Sequence, residues 1–415
     1  MNRLKELPPS APAVVTAAIV IAILLRIILA WISIGTNDAN TWRRIGSEVA
    51  QKGMFDAYRS DSEINHPPIS VLWSRFTLAG HSPRNIALLM KLPAIAGDAL
   101  SAWLLARIWM RRSDPRRAAL ASIAMALSPI AILISGYHCN TDNLYAFLSL
   151  LAMYFITERQ AFLLAGLALG AAINVKLIPV ILIPGTYSLC RSWRNAAALT
   201  CGLAIWTIPF LPLLIAAPDA VRNNMLNYAP PVSEWGIPMI LHDLWADPQL
   251  QRAAYDAMAS YLTLGRWLIL LCAAILSAAS FLRRRWNGYE VAAISYALLL
   301  VLAPGFGPQY TTIIVPLLLA ISIPRAWIWG ILAGAYVAFA YFSRLISSGI
   351  PMETAFVRNT PTPPGATFGL LAWGTLLETM LVMLLKDVRE ALPPGRGFEV
   401  ILPQTRPITQ EDRQT

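Results

Sequence analysis

Apolar stretches recur along this chain from residue 11 to residue 385, parted by short polar breaks. Most approach the roughly 20 residues that a helix needs to cross a bilayer. The pattern predicts spans over 11–34, 85–109, 118–134 and 144–156. Two shorter stretches, 161–173 and 177–189, meet at Asn174-Val175-Lys176 and predict either a pair of short helices or one broken helix. Further spans are predicted over 195–217, up to Arg283, over 289–303, back to Arg325, over 326–342 and over 368–385. Within the break at 33–84, Trp42, Ile45, Val49 and Phe55 fall on one face of a helix, with Arg43, Arg44, Glu48 and Lys52 elsewhere, which predicts a helix lying at the interface. The run 69–78 is too short to cross and is placed there too. The other large break is 218–260.

Composition agrees with that pattern. The chain has 415 residues, 56% of them hydrophobic and only 13% charged, so it reads as an integral membrane protein without room for a soluble domain. Its net charge of +10 sits in short clusters between spans, such as Arg283-Arg284-Arg285. Such clusters set orientation, so no nucleic-acid partner is expected. Placing them all on the cytoplasmic side gives an all-α polytopic protein of about twelve spans with both termini inside. The N-terminal run is too long for a signal-peptide core and reads as an uncleaved span. The polar tail, 393–415, reads as disordered.

On this topology the unusual polar residues share the outer side: Asp38, His66, His138, Asn140, Asp142, Lys176, Arg222, His242, Gln309 and Arg344. Ionisable groups near the hydrocarbon layer are costly and are kept for function. A carboxylate at that depth can deprotonate a hydroxyl, and isolated Lys and Arg can hold a lipid phosphate. A sugar leaving from phosphate needs a base but not an acid, because the phosphate is already a good leaving group; glycoside hydrolysis needs two carboxylates. A single Asp with a cationic clamp therefore suits an inverting single displacement. Tyr228 and Trp235, within the second large break, are the candidates for stacking on a sugar.

The order of motifs resembles the GT-C superfamily, the multi-spanning glycosyltransferases that use polyprenyl- or dolichyl-phosphate sugars. The resemblance rests on Asn37-Asp38-Ala39-Asn40, on His66-Pro67-Pro68 where that family has Tyr-Pro-Pro, and on Ala96-Gly97-Asp98-Ala99. It continues through 136–143, Asn174-Val175-Lys176-Leu177-Ile178-Pro179, and Gln309-Tyr310 followed by Pro316, covering about 35–316. Bacterial and archaeal mannosyltransferase-like members and GPI mannosyltransferase I are the nearest in pattern. The resemblance implies one transmembrane domain with its catalytic part over 11–260, C-terminal helices over 261–385, and transfer of a hexose, mannose first, to a lipid-linked or glycan acceptor. It implies Asp38 as the base, and Lys176, Arg222, Gln309 and Tyr310 on the donor phosphate or sugar. Asn40, His66, His138, Asn140, Asp142, Tyr228, Trp235 and His242 would line the cavity.

Some relatives carry Asp-x-Asp in the first loop, whereas Asn40 stands here in place of the second acid. Metal-independent catalysis without a cofactor is the expectation. Structural roles compete at several positions: Asp38 as a helix N-cap, Lys176 as a snorkelling cation, Asp98 as a buried inter-helix hydrogen-bonding group. The competing functions are a flippase or transporter of lipid-linked sugars, which would spread its polar groups through the membrane midplane, and a glycan polymerase or ligase. Short loops rich in Ala and Arg suggest a bacterial inner membrane with the site facing outward.

Overall fold

A computed structural model describes residues 11–228, 235–245, 249–284, 286–348 and 363–391. α1 (Ala11–Ile32) is apolar around nearly its whole circumference, a pattern with little polar face to offer water. The polar break after it folds as three helices. α2 (Asp38–Lys52) turns Ala39, Trp42, Ile45 and Val49 inward and ends at Gly53. α3 (Met54–Ser60) starts anew, so Phe55 does not continue the Trp42 face as its spacing suggested. α4 (Pro68–Thr77) buries Val71, Ser74 and Thr77 and exposes Leu72 and Phe76. Trp42, Ile45, Tyr58, Ile64, Val71 and, from the next helix, Met90 form a small core. The amphipathic face of α2, expected against lipid, packs on protein.

α5 (Pro83–Arg111), α6 (Pro115–Ala126) and α7 (Pro129–Ile132) each begin with a proline. The residues before them, Ser82, Asp114 and Ser128, accept a hydrogen bond from the amide three positions on, satisfying donors that a helix start leaves open. α7 continues as a π-helical turn, Leu133–His138, closed by Cys139 at φ +69. α8 (Asp142–Arg159) then runs back along α5. α9 (Phe162–Val175) stops at Lys176, whose backbone is extended, and a 3-10 turn leads into α10 (Leu182–Ser188). Residues 161–189 are thus two short helices with Lys176 at their junction.

The predicted span at 195–217 is interrupted: α11 (Trp193–Ile205), α12 (Leu211–Ala216) and α13 (Pro218–Ala220) follow one another, and a second π-helical turn, Val221–Leu226, carries Arg222. Pro209 lies in the break, where its missing N–H and ring disfavour a continuous helix. α14 (Gly236–Trp245), α15 (Gln251–Arg283), α16 (Gly288–Val301), a 3-10 turn over Pro308–Thr312, α17 (Val315–Ile321), α18 (Ile323–Ser348) and α19 (Pro363–Ala391) complete the described chain.

No strand occurs among the described residues, and the protein is an all-α, multi-pass membrane protein. Among the described residues, five helices are long and apolar enough to cross a membrane, and a sixth results if the pair Pro115–Ala126 and Pro129–His138, bent by 41°, is one span. The count of about twelve would require α8, α9, α10, α11, α16 and α17 to serve as crossings besides these six. The tail at 393–415 lies outside the described residues.

Two close approaches bring the elements together. Gly35, at φ +104, lets the chain leaving α1 cross the π turn, where a Cβ would stand 2.2 Å from the Tyr137 carbonyl oxygen. Gly97 of α5 lies against the start of α8, where a Cβ would stand 2.6 Å from the Asn143 carbonyl oxygen. The C-terminal ends of α1 and α9, the N-terminal ends of α2 and α8, and the first π turn therefore meet at one end of the bundle. About 24 Å along α8, at 1.5 Å per residue, Glu158 pairs with Arg112 at the opposite end.

Candidate active site

Three buried or half-buried carboxylates lie at or below this meeting point, and their surroundings differ. Asp98, on α5, is 2% exposed and fully engaged: Arg26 Nε donates to Oδ2 at 2.7 Å, Ser135 Oγ to the same oxygen at 2.7 Å, and Asn143 Nδ2 to Oδ1 at 2.6 Å. Asp142, first residue of α8, is fully buried; Tyr145 donates to its Oδ1 at 2.8 Å, and Lys176 Nζ lies 3.1 and 3.3 Å from its two oxygens. Asp38, first residue of α2, is 37% exposed, and Asn140 Nδ2 donates to its Oδ2 at 2.9 Å. Of the three, only Asp38 is open to a ligand.

His138 stands beside it. Its Nε2 lies 3.2 Å from Asp38 Oδ2, in ion-pair range though outside hydrogen-bond geometry. Its Nδ1 lies 2.7 Å from the Tyr341 hydroxyl of α18 and 3.3 Å from Thr36 Oγ1, and Thr36 donates to the His138 carbonyl at 2.7 Å. With the Thr36 proton committed to that carbonyl, the Tyr341 hydroxyl is free to donate to Nδ1, which leaves a proton on Nε2 facing Asp38. The π turn makes this possible by widening the backbone just before Cys139, and π turns of this kind recur at functional sites. Burial pushes the Asp38 carboxyl up, but His138 and Lys176 outweigh it and hold the group below its usual value.

The cation arm is Lys176. Its ammonium lies 4.8 Å from the centre of the Tyr310 ring, and Tyr310 leans edge-on against Phe306. Opposite, His66 tilts over Trp42 with ring centres 4.5 Å apart, and among the described residues neither of its ring nitrogens has a hydrogen-bond partner. Burial pushes His66 down to about 3; Lys176 adds to the shift and Asp38 opposes it. The ring is therefore neutral at any ordinary pH, able to give one hydrogen bond and accept one. Gln309 Oε1 is likewise buried without a partner. Tyr228, half-exposed, is hydrogen bonded with Asn65 and within electrostatic reach of Tyr310, Lys176 and Asp38.

An apolar groove of about 300 Å³ adjoins this arm, lined by Leu72, Trp73, Phe76, Pro93, Leu144 and Val175 among others. Val175 precedes Lys176 in the chain, and Ser70 Oγ, also on the groove, donates to its carbonyl at 2.7 Å. On the other side of α2 is a polar pocket of about 440 Å³ that Asn37 and Asn40 help to line. Asn40 faces that pocket, whereas the side chain that bonds Asp38 is Asn140.

Other expected residues stand apart. Trp235 is not a sugar platform: it is 1% exposed, stacks on Phe306 at 4.5 Å, and donates its indole N–H to the Leu300 carbonyl. Its segment folds back into the main core, which its placement in a loop concealed. Arg222 is exposed on the second π turn, with no contact to Asp38, Lys176 or Asp142 among the described residues. His242 is exposed on α14 beside Asp243, away from the cluster. Sequence reasoning passed over Tyr341, Thr36, Tyr145 and Arg26. A lone cation inside the otherwise apolar α1 was the available signal for Arg26; a tyrosine within a span gives none. Among the described residues no three His, Cys, Asp or Glu side chains are grouped to hold a metal ion.

No curated protein matches the chain. Among solved structures, the apo crystal structure of the Archaeoglobus fulgidus oligosaccharyltransferase is similar, at 15% sequence identity and a TM-score of 0.42, over 94% of this chain and 57% of that one. The chain thus spans little more than half that protein's length. The family model described as GPI transamidase subunit PIG-U matches residues 20–308. That region includes Asp38, His66, His138, Asn140, Asp142 and Lys176, and with most of the chain matched, the protein belongs to the PIG-U family.

Proposed function

We propose that this protein is a GT-C-type glycosyltransferase that moves a hexose from a polyprenyl-phosphate sugar to an acceptor hydroxyl, at the outer face of the membrane. The observation that carries the reading is the convergence of one ligand-accessible carboxylate, Asp38, with a buried cation, Lys176, beside an apolar groove. In the reaction, the acceptor oxygen bonds to the sugar C1 while the C1–O bond to phosphate breaks. The hydroxyl proton passes to Asp38, and the electron pair leaves with the lipid phosphate. The Lys176 ammonium, one residue along the chain from Val175 of the groove, offsets the charge gathering on the phosphate. His138, its tautomer set by Tyr341, and Asn140 hold the carboxylate in place. His66 and Gln309 offer neutral hydrogen bonds to sugar hydroxyls. The substrate, by covering Asp38, adds burial and so raises its basicity when the proton is to be taken.

In this reading the step runs without a metal, since Asn40 stands in place of a second acid; transfer should survive EDTA. Mannose remains the first sugar to test, and a bacterial inner membrane the first location.

The family description, a GPI transamidase subunit, favours a second reading: a subunit that acts with partner chains rather than as a transferase by itself. One experiment separates the two. The purified chain is incubated alone with polyprenyl-phosphate-mannose or -glucose and a panel of lipid-linked acceptors, and products are followed by mass spectrometry. A hexose-extended acceptor supports the transferase; donor binding without product from any pair favours the subunit.

A further inference from the structure

The polar pocket beside α2 has no part in the chemistry above, and its walls are unlike those of the apolar groove. Asn37, Asn40, Thr41, Arg44 and Ser47 line it at spacings of three, four, seven and ten residues from Asn37, one stripe of the helix. The neighbouring stripe, Ala39, Trp42, Ile45 and Val49, is buried. The apolar stripe thus anchors α2 and turns the polar stripe up into the pocket. A volume of about 440 Å³ lies within the range of ligand sites. Amides and hydroxyls give it both donors and acceptors, the complement of a polyol.

Its charges are unequal. Arg44 is committed to Asp61 and to Glu63, the latter at 2.5 Å; Glu63 also lines the pocket, and this pairing neutralises its carboxylate there. Arg43, also on the wall, is exposed and makes no ion pair among the described residues. It leaves one guanidinium fork available to an oxyanion. The stripe begins at Asn37, just before Asp38, and passes Asn40, two residues after it, so one wall of the pocket is the same first turn of α2 that carries the carboxylate.

We infer that this pocket is the acceptor subsite, and that it takes a saccharide carrying an anionic group, phosphate or carboxylate, held by Arg43. The inference rests on the reading of Asp38 as the transfer centre, and its test can fail independently of that reading. The full-length Asp38→Asn protein, which binds without turnover, is titrated by saturation-transfer NMR with three probes: a neutral trisaccharide, the same trisaccharide ending in a uronic acid, and the same bearing a terminal phosphate. At least tenfold tighter binding of one or both anionic probes is expected, and the winner names the anion. Adding Arg43→Gln should erase the preference while weak neutral binding persists. Ser47→Ala combined with Asn37→Ala should weaken all three probes together. Equal binding of all probes with and without the Arg43→Gln replacement overturns the anionic assignment. Unchanged binding after the Asn37 and Ser47 replacements overturns the subsite. Turnover by the otherwise native protein on lipid-linked acceptors, with either result, leaves the transferase standing. Selective probe binding with no turnover on any acceptor sinks the transferase and leaves the pocket.

Discussion

Asp98 and Asp38 are aspartates in one small protein interior, and they are used in opposite ways. Asp98 accepts from Arg26, Ser135 and Asn143 and is sealed from solvent. A carboxylate so satisfied has little left to offer a ligand, and it sits where an unpaired charge is costly. Asp38 has one side-chain donor in hydrogen-bond geometry, Asn140, and a histidine alongside, and over a third of its surface is open. The two are also coupled. Ser135 lies in the π turn that ends at His138, and Asn143 is next to Asp142. The closed network holds in register the segments that carry the open one.

The largest effect should come from Asp38→Asn. Removing a general base costs on the order of 10²–10⁴-fold, so hexose transfer by the purified protein should fall by about 10³-fold while the protein stays folded in detergent, its unfolding temperature lowered only by the loss of the Asp38 charge. Asp98→Ala should reverse the pattern. It leaves Arg26 buried without its counter-charge, a loss of about 3–5 kcal/mol, visible as a lowered unfolding temperature. Arg26→Met with Asp98→Leu should restore most of that stability. If Asp98→Ala instead abolishes transfer with stability intact, the contrast between a closed and an open carboxylate is wrong.

A smaller effect is expected at the cation. Lys176→Met paired with Asp142→Asn avoids stranding a buried charge and keeps the junction folded. The KM for a polyprenyl-phosphate sugar should rise by about tenfold, equivalent to about 1.4 kcal/mol, with kcat less affected. An unchanged KM would remove Lys176 from the donor site.

Much of the fold was legible because apolar runs bounded by Pro, Ser and Asp mark helices, and Lys176 announced itself as a polar break between two such runs. Asp38 was legible by position, at the rim of a span. The partners that tune it were not. Tyr341 lies within an apolar run, where a tyrosine resembles an interfacial anchor, and only packing of α18 against the π turn brings it to His138. The π turn itself has no signature in Leu133–His138. Trp235 misled for the converse reason, since a tryptophan between prolines and glycines reads as exposed until tertiary contacts bury it. Asn40 and Asn140 were both expected at the cavity, and no sequence rule says which one reaches the carboxylate.

The last effect, nearly absent at pH 7, bears on how the open site is kept ready. His66 is held down to about 3 in the fold, against 6.5 in an unfolded chain. Between those values the unfolded chain binds a proton that the folded one does not, so folding stability rises with pH across that window and is flat in this respect above it. Asp38 acts in a separate range: its carboxyl is depressed, so its contribution is present above 3.8 and lost only as pH falls further. Unfolding temperatures measured from pH 7 to pH 4 should therefore decline for the native protein. His66→Phe, which keeps the ring against Trp42 and removes the titrating nitrogens, should flatten that decline and leave the pH 7 value nearly unchanged. The same variant should weaken donor or acceptor binding at pH 7, because the neutral nitrogens are lost where they face the substrate. A flat stability profile with full substrate affinity would mean that His66 is packing only, and that the open carboxylate works without it.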